Sequence, residues 1–483
     1  MRVLDLAIRK FLEYNPHYGS YLGLREYDFK VPELTRKKIE ESLDWSLDCI
    51  SRLKEWEPEN EELETDRDEV VRALELNVLT EGEWRPWKHY PVAPSVASEL
   101  LLSVLLSPAP EDHKERALQA RLKALPKLFE ESKELLEKPK SVWVQLARAE
   151  LQGLKLLLVN INAPDEVKRA VEEYDKWLDT VQSEEGFQPM GEELFRRLMQ
   201  VRYIKMSLEE LESLARKKAK ELREELEEVP EGKEAEDPKK AYEEAVKRAK
   251  SFVIERKLVP LAYDEELEII DTPEPLRPTI PYAAYMPPQA FAPFNLGYLL
   301  VTPGAAKRDY YDVLNTAVHE TYPGHHVQLS FPLPTRYRHF ASATDYVEGW
   351  AHYTEELMME EGFCKEPRYV WQVKKDMLWR WVRVYVDIGI STGRMSFEEA
   401  VKELVEVAML DEKSASSEVL RYTLSPGYQL SYAYGKMRIK EMRELAQEYS
   451  ESAFSLYEFH RKLLSYGALP VDLLKEKMLN SVS

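Results

Sequence analysis

Histidine is concentrated in one short part of this chain. Five of the nine histidines lie between His319 and His352, and three of those five lie in the segment HETYPGHH at 319–326. Neutral imidazole is the commonest nitrogen ligand of zinc, and hydrolytic zinc sites hold the ion with three protein ligands and a water. In the HExxH motif, histidines at i and i+4 share one helix face and reach one ion, while the glutamate is the general base. The segment therefore predicts a hydrolytic zinc site with Glu320 as the base.

The spacing of this segment departs from HExxH. Position 323 is proline, and the next histidines are His325 at i+6 and His326 at i+7. On a regular helix these residues lie about 9 Å and about 10.5 Å further along the axis than His319, too far to share one ion. Pro323 removes an amide donor and Gly324 admits unusual backbone angles, so we expect the helix to break there and bring one imidazole back. His325 is the preferred second ligand, and His326 is the alternative.

A third ligand is available on the next predicted helix. Glu348 follows His319 by 29 residues and lies in the segment TDYVEGWAHYTEEL, which we predict to be helical. A return loop between the two helices allows them to pack together and brings the carboxylate to the histidines. His352 lies one turn after Glu348 on the same face, and we favour a packing or outer-shell role for it over direct ligation. We predict Zn2+ bound by His319, Glu348 and His325, with His326 as the alternative to His325.

Several further residues are candidates for contacting the substrate. Tyr432 and Tyr434 lie in the Gly-flanked segment GYQLSYAYG, and a developing carbonyl oxyanion needs hydrogen-bond donors besides the metal. Of the two tyrosines, Tyr432 is preferred. The strand predicted at 295–302 could offer a free edge on which an extended peptide pairs. Four cations are candidates for binding a substrate carboxylate, and the sequence does not choose among them: Arg394, Arg421, Lys436 and Arg438.

The elements that must position these residues are predicted to be mainly helical. Apolar residues recur at three- and four-residue spacing in 37–56, 115–136, 142–158, 165–181, 208–228 and 241–256, and again from residue 310 almost to the end. Short β-branched or aromatic segments at 267–272 and 295–302 predict strands, and the Pro-rich stretch 273–293 between them is predicted not to be helical. We predict a helical N-terminal subdomain at 1–228 and a catalytic subdomain at 239–483, or one continuous domain around a cleft.

Composition restricts the class of protein. A chain of 483 residues with 44% apolar residues can bury a large core, and the net charge of −20 argues against a nucleic-acid partner. The abundance of Glu, Lys and Arg resembles a thermophile's surface. No apolar run of about 18 residues occurs, so we expect no membrane span. Two distant cysteines and an amphipathic first segment without a signal-peptide pattern predict a cytoplasmic protein. The oligomeric state is open, and a homodimer is allowed.

At these motifs the chain resembles the domain-of-unknown-function 885 family, whose members carry HE-x-x-PGHH followed by an EGWA-type helix. The resemblance spans roughly 282–445 and includes FNLGYLLV, HETYPGHHVQL, DYVEGWAHYTEEL, VDIGISTGRMSFEEAV and RYTLSPGYQLSYAYGK. The N-terminal half is similar in its helical style only. That family is similar in turn to zincins with a glutamate ligand, such as the thimet-oligopeptidase and Taq-carboxypeptidase groups. Compared with many relatives, Ser391 takes the place of a histidine.

The resemblance implies a mainly α, zincin-like metallopeptidase fold with a deep channel, a small edge β-sheet and a zinc ion at the channel floor. It implies that His319, His325 and Glu348 bind the metal and that Glu320 handles the proton. The expected activity is that of a carboxypeptidase or oligopeptidase on short peptides. A hydrolase of a non-peptide amide or ester and a non-catalytic zincin-like binding protein are the alternatives. The base beside the first ligand argues against the binding protein, because a structural site has no use for it.

Overall fold

A computed structural model describes residues 2–226, 228–277, 280, 282–304, 308–340, 343–450 and 453–480. The described chain is mainly helical, as predicted, and carries two small sheets. Its contacts divide it into two compact units, of which the first comprises 1–188, 273–279 and 289–294 and the second 189–272, 280–288 and 295–483. Residues 189–228, which the sequence analysis grouped with the N-terminal subdomain, belong to the second unit. The predicted site residues all lie in that second unit.

The first unit is built from helices. Four of them, α5 to α8 below, supply a core in which Leu100, Leu125, Leu151 and Val171 are fully buried. A π-helical segment, Val78–Trp84, continues the fourth helix. The helices are α1 (Arg2–Tyr14), α2 (Pro16–Tyr21), α3 (Arg36–Glu55), α4 (Glu61–Asn77), α5 (Ala93–Leu105), α6 (Glu111–Lys133), α7 (Ser141–Asn160) and α8 (Asp165–Thr180). The helices predicted at 37–56, 115–136, 142–158 and 165–181 are confirmed within a few residues.

The second unit contains the remaining helices and the strands. Its helices are α9 (Glu192–Val201), α10 (Leu208–Glu225), α11 (Pro238–Arg256), α12 (Tyr310–Glu320), α13 (His325–Leu329), α14 (Thr344–Glu360), α15 (Pro367–Ser391), α16 (Phe397–Glu406), α17 (Glu412–Tyr422), α18 (Leu430–Ser450), α19 (Leu456–Ser465) and α20 (Val471–Asn480). Helix α14 packs against α18, and α10 packs against α15. None of the described helices is long and apolar enough to cross a bilayer. The cytoplasmic location stays a prediction.

The larger sheet has three strands, β2 (Glu265–Asp271), β3 (Ala283–Met286) and β4 (Asn295–Val301), in the order β2-β4-β3. Strand β4 runs parallel to β2 and antiparallel to β3. The two predicted strands are confirmed, and β3 is an unpredicted strand inside the Pro-rich stretch. Strand β4 pairs with β2 along its whole length and with β3 from Tyr298 to Val301, so the free edge predicted at 295–302 is wrong for that part of the strand. A second, two-stranded sheet pairs β1 (Glu234–Ala235) with β5 (Arg308–Asp309).

Helices α14 and α18 meet backbone to backbone at two glycines. A Cβ atom on Gly349 would lie 2.5 Å from the Cα atom of Gly435, and one on Gly435 would lie 1.7 Å from the carbonyl oxygen of Asp345. Only glycine permits so close an approach, since any side chain would force the helices apart. The crossing sets the helix that carries Glu348 against the beginning of the helix that carries Tyr432.

Candidate metal centre

The helix break predicted at Pro323-Gly324 is confirmed, since α12 ends at Glu320 and α13 begins at His325. The indole N–H of Trp350 donates to the carbonyl oxygens of Pro323 and Gly324, at 3.0 and 3.2 Å. A Cβ atom on Gly324 would lie 1.9 Å from the carbonyl oxygen of His319, so the chain can turn this tightly only at a glycine. The break therefore returns the following residues towards the end of α12.

The break brings three of the predicted ligands together. The Nε2 atoms of His319 and His325 lie 3.6 and 3.5 Å from Oε2 of Glu348, and the three ligand atoms are within 4.8 Å of one another. Two ligand atoms bound at about 2.1 Å to one tetrahedral ion lie about 3.4 Å apart. The buried group could therefore hold a metal ion, and no other group of three His, Cys, Asp or Glu side chains among the described residues does so.

A buried carboxylate orients the first histidine. Nδ1–H of His319 donates to Oε1 of Glu355 at 2.6 Å, which leaves Nε2 facing Glu348. Glu355 is fully buried and also accepts from Asn315 Nδ2 at 3.0 Å and from Arg380 Nη2 at 3.2 Å. Such a partner fixes the tautomer and the ring orientation of a metal-binding histidine. The sequence analysis did not single out Glu355, although its spacing of seven from Glu348 places it on the same helix face.

A tyrosine holds the carboxylate ligand. The hydroxyl of Tyr428 donates to Oε1 of Glu348 at 2.5 Å, opposite the oxygen that faces the histidines. Tyr428 was not predicted as a site residue, and its only sequence signal is its position four residues before Tyr432. The ring of Tyr432 lies 6.5 Å from the ring of His319 and nearly parallel to it, and 6.1 Å from the ring of Tyr428. Tyr432 is thus beside the cluster.

The turn that carries Tyr428 is fixed by a buried aspartate. Asp387 accepts from the backbone N–H groups of Gly427 at 3.0 Å and Gln429 at 2.9 Å. The hydroxyl of Ser391 donates to the same carboxylate at 2.7 Å. Ser391 therefore supports the turn before α18 through Asp387.

The structure does not bring Tyr434 to the cluster. Its hydroxyl donates to Asp472 and accepts from Arg438 Nε at 3.2 Å. Residues two apart on a helix point about 200° apart, so Tyr434 and Tyr432 face different sides of α18. The hydroxyl of Tyr434 therefore does not lie where the predicted oxyanion role would need it.

The alternative ligand His326 belongs to a separate network. Its Nε2–H donates to Oε2 of Glu265 at 2.6 Å, and its Nδ1 accepts from the hydroxyl of Tyr285 at 3.0 Å. The hydroxyl of Tyr322 donates to the same Glu265 oxygen at 2.7 Å. A Cβ atom on Gly297 would lie 2.5 Å from the hydroxyl of Tyr285, so this glycine makes room for the network. His326 thereby ties α13 to strands β2 and β3.

The predicted base Glu320 is held by the same strand. The backbone N–H of Tyr285 on β3 donates to Oε2 of Glu320 at 3.2 Å. Tyr285 lies opposite Leu299 of β4 in the sheet, and the backbone N–H of Tyr285 donates to the Glu320 carboxylate. Glu320 directly follows the candidate ligand His319 and is the last residue of α12, so the two side chains leave the same helical turn.

His352 lies outside the ligand group. Its Nδ1 atom is 3.5 Å from Oε2 of Glu355, and neither ring nitrogen has a hydrogen-bond partner among the described residues. Complete burial lowers the pKa of His352 to about 3, aided by the positive charge of Lys436. His352 is therefore a fully buried residue of α14 outside the candidate metal site.

Within the candidate site, the carboxylates and the imidazoles stabilise each other's charged forms. Burial alone would disfavour the charged imidazole of His319, but the facing carboxylate of Glu348 and the hydrogen bond to Glu355 outweigh it and raise its pKa to about 10. Burial likewise opposes the charge on Glu348, yet the facing imidazoles of His319 and His325 hold the pKa of that carboxyl well below its ordinary value. The cluster is therefore built to keep a carboxylate ionised in a buried place.

The four predicted carboxylate-binding cations all form ion pairs in the structure. Each is engaged with acidic side chains, which neutralise it: Arg394 with Glu212 at 2.9 Å, Arg421 with Glu418, Lys436 with Glu356 at 2.5 Å and Arg438 with Asp472 at 2.9 Å. The sequence could not reveal these pairings, because most of the acidic partners come from other helices. These four residues are ion-pair partners in the fold.

A known family and known structures match almost the whole chain. The family described as "Bacterial protein of unknown function (DUF885)" matches residues 16–478. No curated protein matches the chain. A candidate lipoprotein of unknown function from Shewanella oneidensis has 21% identity and a TM-score of 0.77, covering 99% of each chain. A candidate lipoprotein from Colwellia psychrerythraea has 17% identity and a TM-score of 0.79, covering 100% of this chain and 98% of that chain. At these identities the two structures show a shared fold.

The family match extends well beyond the motifs at 282–445. It includes the helical N-terminal half, which on its residues alone was similar in style only. The buried group of two histidines and one glutamate thus lies in a chain that the family matches over nearly its whole length. The chain belongs to the DUF885 family of bacterial proteins, whose function is unknown.

Proposed function

We propose that this protein is a zinc-dependent hydrolase that cleaves peptide bonds of short peptides. The observation that carries the proposal is the buried group of His319, His325 and Glu348 at the spacing of ion ligands, with Glu320 directly after the first ligand. Three protein ligands leave a coordination position for water or substrate, whereas structural zinc sites use four. An adjacent carboxylate that is not a ligand suits general-base catalysis.

The donor set favours zinc. Two imidazoles and one carboxylate suit zinc, whereas magnesium and calcium prefer sites made of oxygen. Glu355 fixes the His319 tautomer with Nε2 towards the site, and Tyr428 holds the second oxygen of Glu348. When bound, such an ion lowers the pKa of a coordinated water to about 7 and polarises a substrate carbonyl.

Glu320 is suited to moving the proton. Its Oε2 accepts the amide N–H of Tyr285, which fixes the carboxylate and leaves the other oxygen able to take a proton from the attacking water. The same group then returns the proton to the leaving amine. Its half-buried position beside the ligand His319 supports this role.

Tyr432 is suited to the developing oxyanion. It lies beside His319, and the guanidinium groups of Arg383 and Arg380 lie 4.7 and 5.8 Å from its ring centre. Burial raises the pKa of Tyr432 above its ordinary value, so its hydroxyl keeps its proton at neutral pH and can donate it in a hydrogen bond.

The test compares wild type with Glu320→Gln in metal content and in digestion of a mixed peptide pool followed by mass spectrometry. We expect about one zinc per chain in both proteins. Hydrolysis should fall about 100- to 10,000-fold in the variant, because the amide cannot accept the proton. His89→Ala, which changes a histidine of the first unit, is the control and should match wild type.

Each possible result has a distinct meaning. Undiminished hydrolysis by Glu320→Gln would remove Glu320 from the mechanism. Zinc binding without cleavage of any peptide, ester or other amide would favour a non-catalytic metal-binding protein. Cleavage of esters or non-peptide amides alone would keep the chemistry and change the substrate.

A further inference from the structure

One arginine of the second unit differs from the others around the candidate site. Arg202 follows α9, and its guanidinium makes no hydrogen bond or ion pair with a described residue, while its Nη1 atom is buried without a partner. By contrast, Arg380 pairs with Glu355 at 3.2 Å and Arg383 with Glu418 at 2.8 Å. Arginine stays protonated in proteins, so a charge in this position calls for an anion.

The unpaired guanidinium lies next to the turn that holds the carboxylate ligand. Nη1 of Arg202 is 3.2 Å from the position that a Cβ atom of Gly427 would occupy, and Gly427 has a φ of +74°. The next residue, Tyr428, donates to Oε1 of Glu348. Gly427 thus leaves space beside the guanidinium, and it directly precedes the tyrosine that is bonded to the candidate ligand.

Two carboxylates interact electrostatically with Arg202, but both accept hydrogen bonds from other groups. Asp387 accepts from Gly427 N, Gln429 N and Ser391 Oγ at 2.7 to 3.0 Å. Asp345 accepts from the backbone N–H groups of Tyr346 at 3.0 Å and Val471 at 3.1 Å. Neither carboxylate reaches ion-pairing distance of the guanidinium. Burial lowers the pKa of Arg202, although Asp387, Asp345 and the Tyr428 hydroxyl partly oppose it, as expected for an incompletely neutralised cation.

We infer that Arg202 binds a carboxylate of the substrate, so that the favoured substrates are peptides with a free carboxylate beside the scissile bond. The inference rests on the proposed peptidase function and supplies its substrate class. A planar guanidinium binds a carboxylate through two parallel hydrogen bonds, which a carboxamide cannot reproduce. Nη1 is enclosed, whereas Nε and Nη2 are not among the buried unpartnered atoms, so these two groups are the ones that could make the paired hydrogen bonds with a carboxylate. The carboxylate comes from the peptide C-terminus or from an acidic side chain.

The experiment uses the zinc-loaded full chain and three N-acylated peptides, of which two share one sequence that ends in a neutral residue and the third differs only in its last residue. The first has a free C-terminus, the second is the C-terminal amide, and the third is an amide with Glu as its last residue. The kcat/KM of wild type should be about 10- to 100-fold higher for the first peptide than for the second. This is the difference expected when a hydrogen-bonded pair of opposite charges is lost. Fast cleavage of the third would identify an acidic side chain as the source of the carboxylate.

Variants assign the preference to this side chain. Arg202→Gln should bring the ratio of acid to amide close to one, and Arg202→Lys should restore part of it, because lysine keeps the charge and loses the paired bonds. Arg394→Gln, a matched change at an ion-paired arginine, should keep the wild-type ratio. A merely structural role would slow all three peptides alike. If wild type cleaves neither carboxylate-bearing peptide faster than the neutral amide, or if Arg202→Gln keeps the wild-type preference, the inference is overturned.

A binding measurement separates this inference from the proposed function. If wild type cleaves no peptide, calorimetry with an N-acetyl amino acid and its amide still reports on Arg202. Binding of the acid alone, lost in Arg202→Gln, supports the inference while the peptidase proposal fails. Equal binding of acid and amide to wild type overturns it.

Discussion

At the scale of single residues, the histidine-rich segment was enough to predict a group of side chains that could hold a metal ion. Residue types and a break at Pro323-Gly324 were enough to propose His319, a displaced histidine and Glu348. The choice between His325 and His326 could not be derived, because it depends on Glu265. That residue lies 61 positions before His326 and accepts its Nε2–H.

The outer partners of the cluster were harder to predict than the ligands. The segment around Glu348 also contains Glu355 and Glu356, and helical spacing alone does not say which of them is used. Glu355 is fully buried and bonds His319, whereas Glu356 pairs with Lys436 and Lys440. Burial depends on which helices pack against α14, and that information is not local.

Replacing Glu355 by glutamine tests its role behind His319. We expect zinc affinity to fall about 10- to 100-fold, because the neutral amide holds the imidazole less firmly and lowers its basicity. Competition with a chelator measures this change, and circular dichroism checks that the variant is folded. Glu361→Gln, just beyond the end of α14, is the control and should bind zinc as wild type does. Equal affinities in the two variants would contradict the role assigned to Glu355.

At the scale of elements, the turn between α12 and α13 is the part on which the site depends. The sequence predicted that the helix breaks there, because proline and glycine are adjacent. It did not reveal that Trp350 of α14 bonds both carbonyl oxygens of the turn. The strand β3 was missed for a related reason, since four residues near several prolines carry no strand pattern, and their pairing with β4 decides their conformation.

Replacing Gly324 by alanine tests the turn. The added Cβ atom would lie 1.9 Å from the carbonyl oxygen of His319 and 2.5 Å from that of Val318, so the backbone must move. We expect a loss of about 3 kcal/mol in the free energy of unfolding and a zinc content well below one per chain. Denaturant unfolding and metal analysis measure the two effects.

The matched control is Gly153→Ala on α7, where nothing lies within 4 Å of the added Cβ. A helical glycine-to-alanine change in open space should stabilise by about 0.5–1 kcal/mol and leave the zinc content unchanged. A Gly324→Ala protein with normal zinc content and stability would show that the tight turn is not required.

At the scale of the whole molecule, helical periodicity predicted the fold class and most helix positions. The division into compact units was less predictable. Segments 273–279 and 289–294 belong to the first unit, although the residues between and around them belong to the second. Such a path is determined by contacts distant in sequence, which composition and loop patterns along the chain do not record.

The pH dependence of stability tests how Glu265 joins several elements. Burial opposes its charge, but bonds from His326, Lys250 and Tyr322 lower its pKa from 4.5 to about 2. The lowered folded-state pKa stabilises the protein above pH 4.5, and this contribution is lost as the pH falls from 4.5 towards 2. Glu265→Gln should therefore cost about 2–3 kcal/mol at pH 7 and progressively less below pH 4.5.

Urea unfolding of wild type and Glu265→Gln at pH 7 and pH 3 measures the difference. Glu266→Gln, an exposed neighbour on the same strand, should change little at either pH. A deficit in Glu265→Gln that is the same at both pH values would show that the carboxylate charge does not stabilise this network.

The most direct test of the central claim is anomalous diffraction at the zinc edge from crystals grown with zinc. The account predicts one peak at about 2.0–2.2 Å from Nε2 of His319, Nε2 of His325 and a carboxylate oxygen of Glu348. His326 should stay hydrogen-bonded to Glu265. The absence of a peak among these three side chains, or a zinc ion bound elsewhere while they remain uncoordinated, would contradict the account.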